Sequence, residues 1–76
     1  MKGCEWGRML LDNLRTARRN AGLTQKEAGK LSGIGHTSIG AYESYRAFPR
    51  FQQFFKLCEV YQVSPAEMFG GYLWAK

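Results

Sequence analysis

The 76-residue chain has two cysteines, two prolines, one histidine and no long apolar run. Cys4 and Cys58 lie far apart and fit no metal-ligand spacing, so both are expected to be free thiols in a reducing cytoplasm. The lone His36 has no neighbouring ligands with which to hold zinc, which argues against a metal site. Nothing approaches the ~20 consecutive apolar residues of a membrane span. The opening MKGCEWGRMLL has neither a long apolar core nor a small-residue cleavage site, so it does not read as a signal peptide. Lipid attachment at Cys4 fails on the same ground. No serine or cysteine has a base and an orienting acid at a recognisable spacing, and no glycine-rich phosphate loop joins a strand to a helix. An enzyme, a cofactor and a metal are therefore not expected. Repeats, linkers and low-complexity segments are absent too.

Acidic residues are also few: six, against eleven Lys and Arg, for a formal charge of +5. On so small a body that excess suggests a polyanionic partner. Hydrophobic residues make up 45% of the chain and charged ones 22%, which fits a folded domain rather than a disordered tail. The length allows one domain, residues 1–76. A chain this short buries only roughly 60% of the surface its unfolded form exposes, so a partner subunit would help it.

Helical periodicity predicts five helices and no strand. From about Trp6 to Asn20, Leu10, Leu14, Ala17 and Ala21 recur on one stripe, widened by Leu11, and Gly22 follows as a stop. Thr24-Gln25-Lys26-Glu27 forms a capping box that starts a second helix, running to Leu31 or Ser32 and burying Ala28 and Leu31. Gly33 makes a turn that Ile34 pins to the core. The third helix runs from near His36 to near Ser44 with Ile39 and Tyr42 inward. Tyr45 to Pro49 reads as a loop, because a residue before proline resists the helical region. A fourth helix spans about Arg50 to Gln62, with Phe51, Phe54, Leu57, Cys58 and Tyr61 on its core face and Phe55 at the edge. Ser64-Pro65-Ala66-Glu67 is a second capping box, opening a short helix over about 65–69. Gly70-Gly71 ends it, and residues 70–76 form an apolar tail.

Residues 24–44 therefore pair two short helices across a tight glycine turn, the unit that presents a helix to the DNA major groove. With Ile39 and Tyr42 inward, helical geometry turns His36, Thr37, Gly40, Ala41 and Ser44 outward. His36 can donate or accept at a purine edge, Thr37 can bond a base or touch a thymine methyl, and Ala41 can make the same apolar contact. Gly40 and Ala41 supply no bidentate readout, so close backbone approach or DNA shape carries more of the recognition. Gln25 stands at a helix N-terminus, where backbone amides and the positive dipole end favour an anion.

LRTARRNAGLTQ, GIGHTSIGAYE, Pro49 and FQQFFKLCEVYQVSPAEMF together make Leu14 to Phe69 resemble the Cro and phage-repressor (XRE-type) helix-turn-helix family, without gaps. The resemblance implies an all-α, compact five-helix, lambda-repressor-like DNA-binding domain, acting as a transcription regulator in the cytoplasm. It implies base contacts from His36, Thr37, Gly40, Ala41 and Ser44, and phosphate contacts from Gln25, Lys26, Tyr45, Arg46 and Arg50. Arg18 and Glu43 match a pair that in some relatives links the first helix to the end of the recognition helix; two independent surface charges are the alternative. The family usually has glycine where this chain has Tyr45, so the loop is expected to take another path. Gly29 replaces the more usual alanine, a change expected to preserve close packing.

Trp6, Phe69, Tyr72, Leu73 and Trp74 either cover a small core or form the homodimer contact that relatives build from the fifth helix and the residues after it. The dimer reading is favoured for Phe69, Tyr72, Leu73 and Trp74. The function expected is that of a sequence-specific double-stranded DNA-binding regulator, most simply a repressor. The alternative is a protein-interaction module, antitoxin- or adaptor-like, that kept the fold and binds DNA weakly or not at all. No membrane association is expected.

Overall fold

The computed structural model describes the backbone of residues 3–68 and the side chains of residues 7–68. Among these residues are five helices and no strand: α1 (Gly3–Asn20), α2 (Gln25–Ser32), α3 (His36–Glu43), α4 (Phe51–Tyr61) and α5 (Pro65–Met68). The all-α architecture is the one the periodicity predicts. α1 begins at Gly3 rather than near Trp6. The side chains of Cys4 and Trp6, and residues Phe69, Tyr72, Leu73 and Trp74, lie outside the described residues.

The core is assembled from Leu10, Leu11, Leu14 and Ala17 of α1, Ala28 of α2, Ile39 and Tyr42 of α3, and Phe54, Leu57, Cys58 and Tyr61 of α4. Ile34 and Met68 close its two ends. Asn13 ties α5 down by donating from Nδ2 to the Met68 carbonyl at 2.6 Å. Burial pushes the Cys58 thiol up to about 11, so it behaves as a small hydrophobe rather than a nucleophile.

Three side chains expected inside are not. Leu31 is 60% exposed because α2 buries the arc of Ala28, Gly29 and Ser32, leaving Leu31 on its edge beside Leu23 and Val63. Phe51 is 74% exposed because it opens α4 before any neighbour reaches over the helix, so the core face begins only at Phe54. Ala21 lies past the end of α1 and is exposed.

α1, α3 and α4 end in the same closure, in which a left-handed residue lets two amides turn back onto the last carbonyls. Gly22 (φ 76°) does this for α1, Gln62 (φ 60°) for α4 and Tyr45 (φ 67°) for α3. At Tyr45 the Arg46 amide donates to the Ala41 carbonyl at 2.8 Å and the Tyr45 amide to the Tyr42 carbonyl at 3.1 Å. The expectation that tyrosine would divert this loop is therefore corrected. The left-handed backbone is held by the side chain: the Tyr45 hydroxyl donates to Asp12, and the Arg8 guanidinium lies 4.5 Å from the ring centre. Tyr45→Ala keeps the backbone strain and loses both contacts, whereas Tyr45→Gly loses the contacts and the strain together. Denaturant midpoints should therefore place the alanine variant about 1 kcal/mol below the glycine variant.

Candidate nucleic-acid interface

The helix-turn-helix unit is fixed at each joint by a local device. The Thr24 hydroxyl accepts from the Glu27 amide at 3.0 Å while the Glu27 carboxylate accepts from the Thr24 amide at 2.9 Å, which starts α2. Gly33 (φ 77°) then ends it, its amide donating to the Gly29 carbonyl at 2.9 Å. The Ile34 amide donates to the Ser32 hydroxyl at 3.1 Å, holding the turn.

Gly29 sets how near α3 comes. A Cβ placed there would meet the Ile34 carbonyl oxygen at 2.8 Å and the His36 nitrogen at 3.2 Å. The close packing expected at Gly29 is therefore present, and it is tighter than alanine would allow. The turn lies closer to α2 than a methyl group allows.

Arg18 and Glu43 are joined in a two-pronged bond, Arg18 Nε donating to one carboxylate oxygen at 2.7 Å and Nη2 to the other at 2.9 Å. Both side chains are largely buried. Arg18 Nη1 also donates to the Leu23 carbonyl at 2.7 Å, and Gln25 Nε2 donates to Glu43 at 2.9 Å. The network therefore fastens the end of α1, the start of α2 and the end of α3. Glu43 is the last residue of α3, where the helix dipole disfavours a negative charge, so the cationic partner is needed there. Burial pushes the Glu43 carboxyl up, but the hydrogen bonds from Arg18 and Gln25, with the Arg18 charge, outweigh it and hold the group below its ordinary range. The same carboxylate raises Arg18 against a smaller opposing effect of burial.

α3 buries Ile39, Tyr42 and Glu43. His36, Thr37 and Ser44 are exposed, and Gly40 and Ala41 are half-buried. The Ser44 hydroxyl is already engaged, within donating distance of the Gly40 carbonyl at 2.9 Å and accepting from Arg46 Nε at 3.1 Å. Gly40 leaves room for a neighbour within the protein: a Cβ there would stand 3.3 Å from Gln25 Oε1. Gln25 was read from sequence only as a phosphate ligand. Its amide also spans from α2 to the end of α3, a role that the residue order does not reveal.

Lys26, Arg46 and Arg50 are exposed, Lys26 on α2 and the two arginines on the loop that follows α3. Arg50 caps α4, its amide donating to Gln53 Oε1 at 3.2 Å, and the same oxygen accepts from the Tyr42 hydroxyl at 2.8 Å. Tyr45 directs its hydroxyl to Asp12 on α1. Sequence reasoning missed this Arg8–Tyr45–Asp12 cluster; its signal was a tyrosine at a glycine position, which needs a compensating contact. Among the described residues no three His, Cys, Asp or Glu side chains gather as a metal site, and no helix is long and apolar enough to cross a membrane.

Compared with known proteins, residues 10–68 match the family described as helix-turn-helix domain, a span from α1 to the last residue of α5. No curated protein and no solved structure matches the chain. The matched span contains the α2–turn–α3 unit and the network that fastens it, and the chain therefore belongs to the helix-turn-helix domain family, for which DNA is the indicated partner.

Proposed function

We propose that the protein is a sequence-specific double-stranded DNA-binding transcription regulator, most simply a repressor, that lays α3 in the major groove. The observation that carries this reading is the exposed edge of α3, bearing His36 and Thr37, with the end of the helix fastened by a buried ion pair, Lys26 exposed on α2, and Arg46 and Arg50 exposed on the loop that follows α3. Lys26, Arg46 and Arg50 take phosphates, and Gln25 uses the amide hydrogen not given to Glu43 for the same purpose. His36 and Thr37 read base edges, while Ala41 offers only an apolar contact. Because the Ser44 hydroxyl is occupied within its own loop, direct readout is modest and DNA shape carries much of the specificity. Two copies read half-sites about one helical turn apart, and repression follows from excluding polymerase.

The test is fluorescence anisotropy on duplexes selected from a randomised pool, followed across a range of salt. Tight binding to a selected site that weakens steeply with salt is expected. Arg46→Ala should lower the slope of log affinity against log salt by about one, weakening all sequences alike. Thr37→Ala should instead change which sequences win. Weak binding indifferent to sequence, from protein shown to be folded, would transfer the reading to an interaction module.

A further inference from the structure

α1 carries a run of charge that neither the core nor the fastening network absorbs. Arg8, Asp12, Arg15 and Arg19 recur at helical spacing on one face, and all four are exposed. Two of them are engaged with the loop after α3: the Tyr45 hydroxyl donates to Asp12, and the Arg8 guanidinium lies over the Tyr45 ring. Arg15 and Arg19 remain, and among the described residues neither forms an ion pair. Two cations four residues apart on a helix repel each other, so the fold gains nothing from the pair.

Contacts on either side fix where Arg15 stands. Three residues before it, Asp12 meets Tyr45, two residues beyond the end of α3. Three residues after it, Arg18 holds Glu43, the last residue of α3. Arg15 therefore lies beside the last turn of α3, less than one turn of α1 from each contact. Glu43 feels its positive charge, as that position requires. Arg19 follows on the final turn of α1. Arg46 stands at the same end of α3, its amide donating to the Ala41 carbonyl at 2.8 Å.

We propose that Arg15 and Arg19 form a further phosphate-binding site, on α1, that takes the DNA backbone next to the phosphates held by Arg46. The site rests on the DNA-binding reading and extends it, adding α1 to α2 and the loop as an element that grips the backbone. The guanidinium is a planar fork of donors that matches a phosphate and keeps its charge at any working pH. The two side chains start about 6 Å apart along α1, so they can take neighbouring phosphates of one strand. A phosphate contact positions the protein without reading sequence, so this site strengthens binding to every duplex alike. Specificity stays with α3.

Fluorescence anisotropy across a range of salt, on a selected duplex and on an unrelated one, compares the wild type with Arg15→Gln, Arg19→Gln together. The double variant should lower the slope of log affinity against log salt by about two, equally on both duplexes. Its circular dichroism spectrum should be unchanged; if it melts early, Arg15→Gln alone should still lower the slope by about one. Lys56→Gln is the control for net charge, because Lys56 already has Glu59 at 4.0 Å on α4, and it should keep the wild-type slope. Ethylation interference locates the contact: one or two ethylated phosphates should weaken the wild type and not the double variant. The inference is overturned if the variants keep the wild-type slope, if Lys56→Gln lowers it as much per charge removed, or if the interference patterns coincide. An unchanged slope in variants of a protein that binds the selected duplex removes only the α1 site. A folded wild type that binds neither duplex removes the DNA reading together with it.

Discussion

Replacing Glu43 with alanine should cost the fold about 3–5 kcal/mol. The substitution removes the partner of a largely buried guanidinium, strands one hydrogen bond of Gln25, and separates α3 from α1. Breaking a buried pair from one side costs about 3–5 kcal/mol. A domain of this length has only about 4–11 kcal/mol in total, so a large share of the margin is lost. Urea denaturation followed by circular dichroism measures it. A loss under about 1 kcal/mol would mean that water replaces the carboxylate and that the pair does not fasten α3.

The same pair gives the stability a pH dependence of known sign. The Glu43 carboxyl titrates lower in the folded protein than its ordinary value of 4.5, so the folded state favours the ionised form. Its contribution is complete above 4.5 and is lost as the pH falls through the lower folded value. Glu43→Gln keeps the shape, loses the charge, and should be destabilised at neutral pH. On acidification from about 4.5 its melting temperature should fall less than that of the wild type.

Gly29→Ala should destabilise the fold even though alanine is the better helix former. The new methyl would have to share space with the Ile34 carbonyl oxygen and the His36 amide, both of them backbone. Forcing such a contact costs about 1–3 kcal/mol, against a gain of up to about 1 kcal/mol in helix propensity. A net loss of about 1–2 kcal/mol corresponds to a drop in melting temperature of roughly 5–15 °C for a domain of this size. Gly29→Val brings no comparable propensity gain and should be worse. The strain falls on the turn that seats α3, so DNA affinity measured on the folded fraction should decline with it. A melting temperature that rises on Gly29→Ala would show that the turn yields without cost.

The contrast between Gly29 and Gly40 separates what a sequence encodes locally from what it encodes at a distance. Both are glycines inside short helices, and sequence alone marks both as weak helix formers. Gly29 is required because the chain turns back over it five residues later. Gly40 is crowded by Gln25, fifteen residues away, whose flexible amide can shift by a few tenths of an ångström. Leu31 and Phe51 carry the same lesson. Periodicity identifies the apolar stripe of a helix but not how far along it the neighbouring helices reach.

By itself the sequence determined the helices, the starts and stops at Gly22, Thr24 and Gly33, and the outward edge of α3 at His36 and Thr37. These follow from interactions spanning at most a few residues: the reciprocal Thr24–Glu27 bonds, the left-handed Gly22 and Gly33, and the spacing of Ile39 and Tyr42. The tertiary structure alone decided that Gln25 joins Glu43, that Tyr45 is held in a glycine conformation by Arg8 and Asp12, and that Phe51 and Phe55 face outward. Each of these depends on groups brought together from different helices. Hydrogen-bond direction and burial are set by that packing, and no pattern within a single helix contains it.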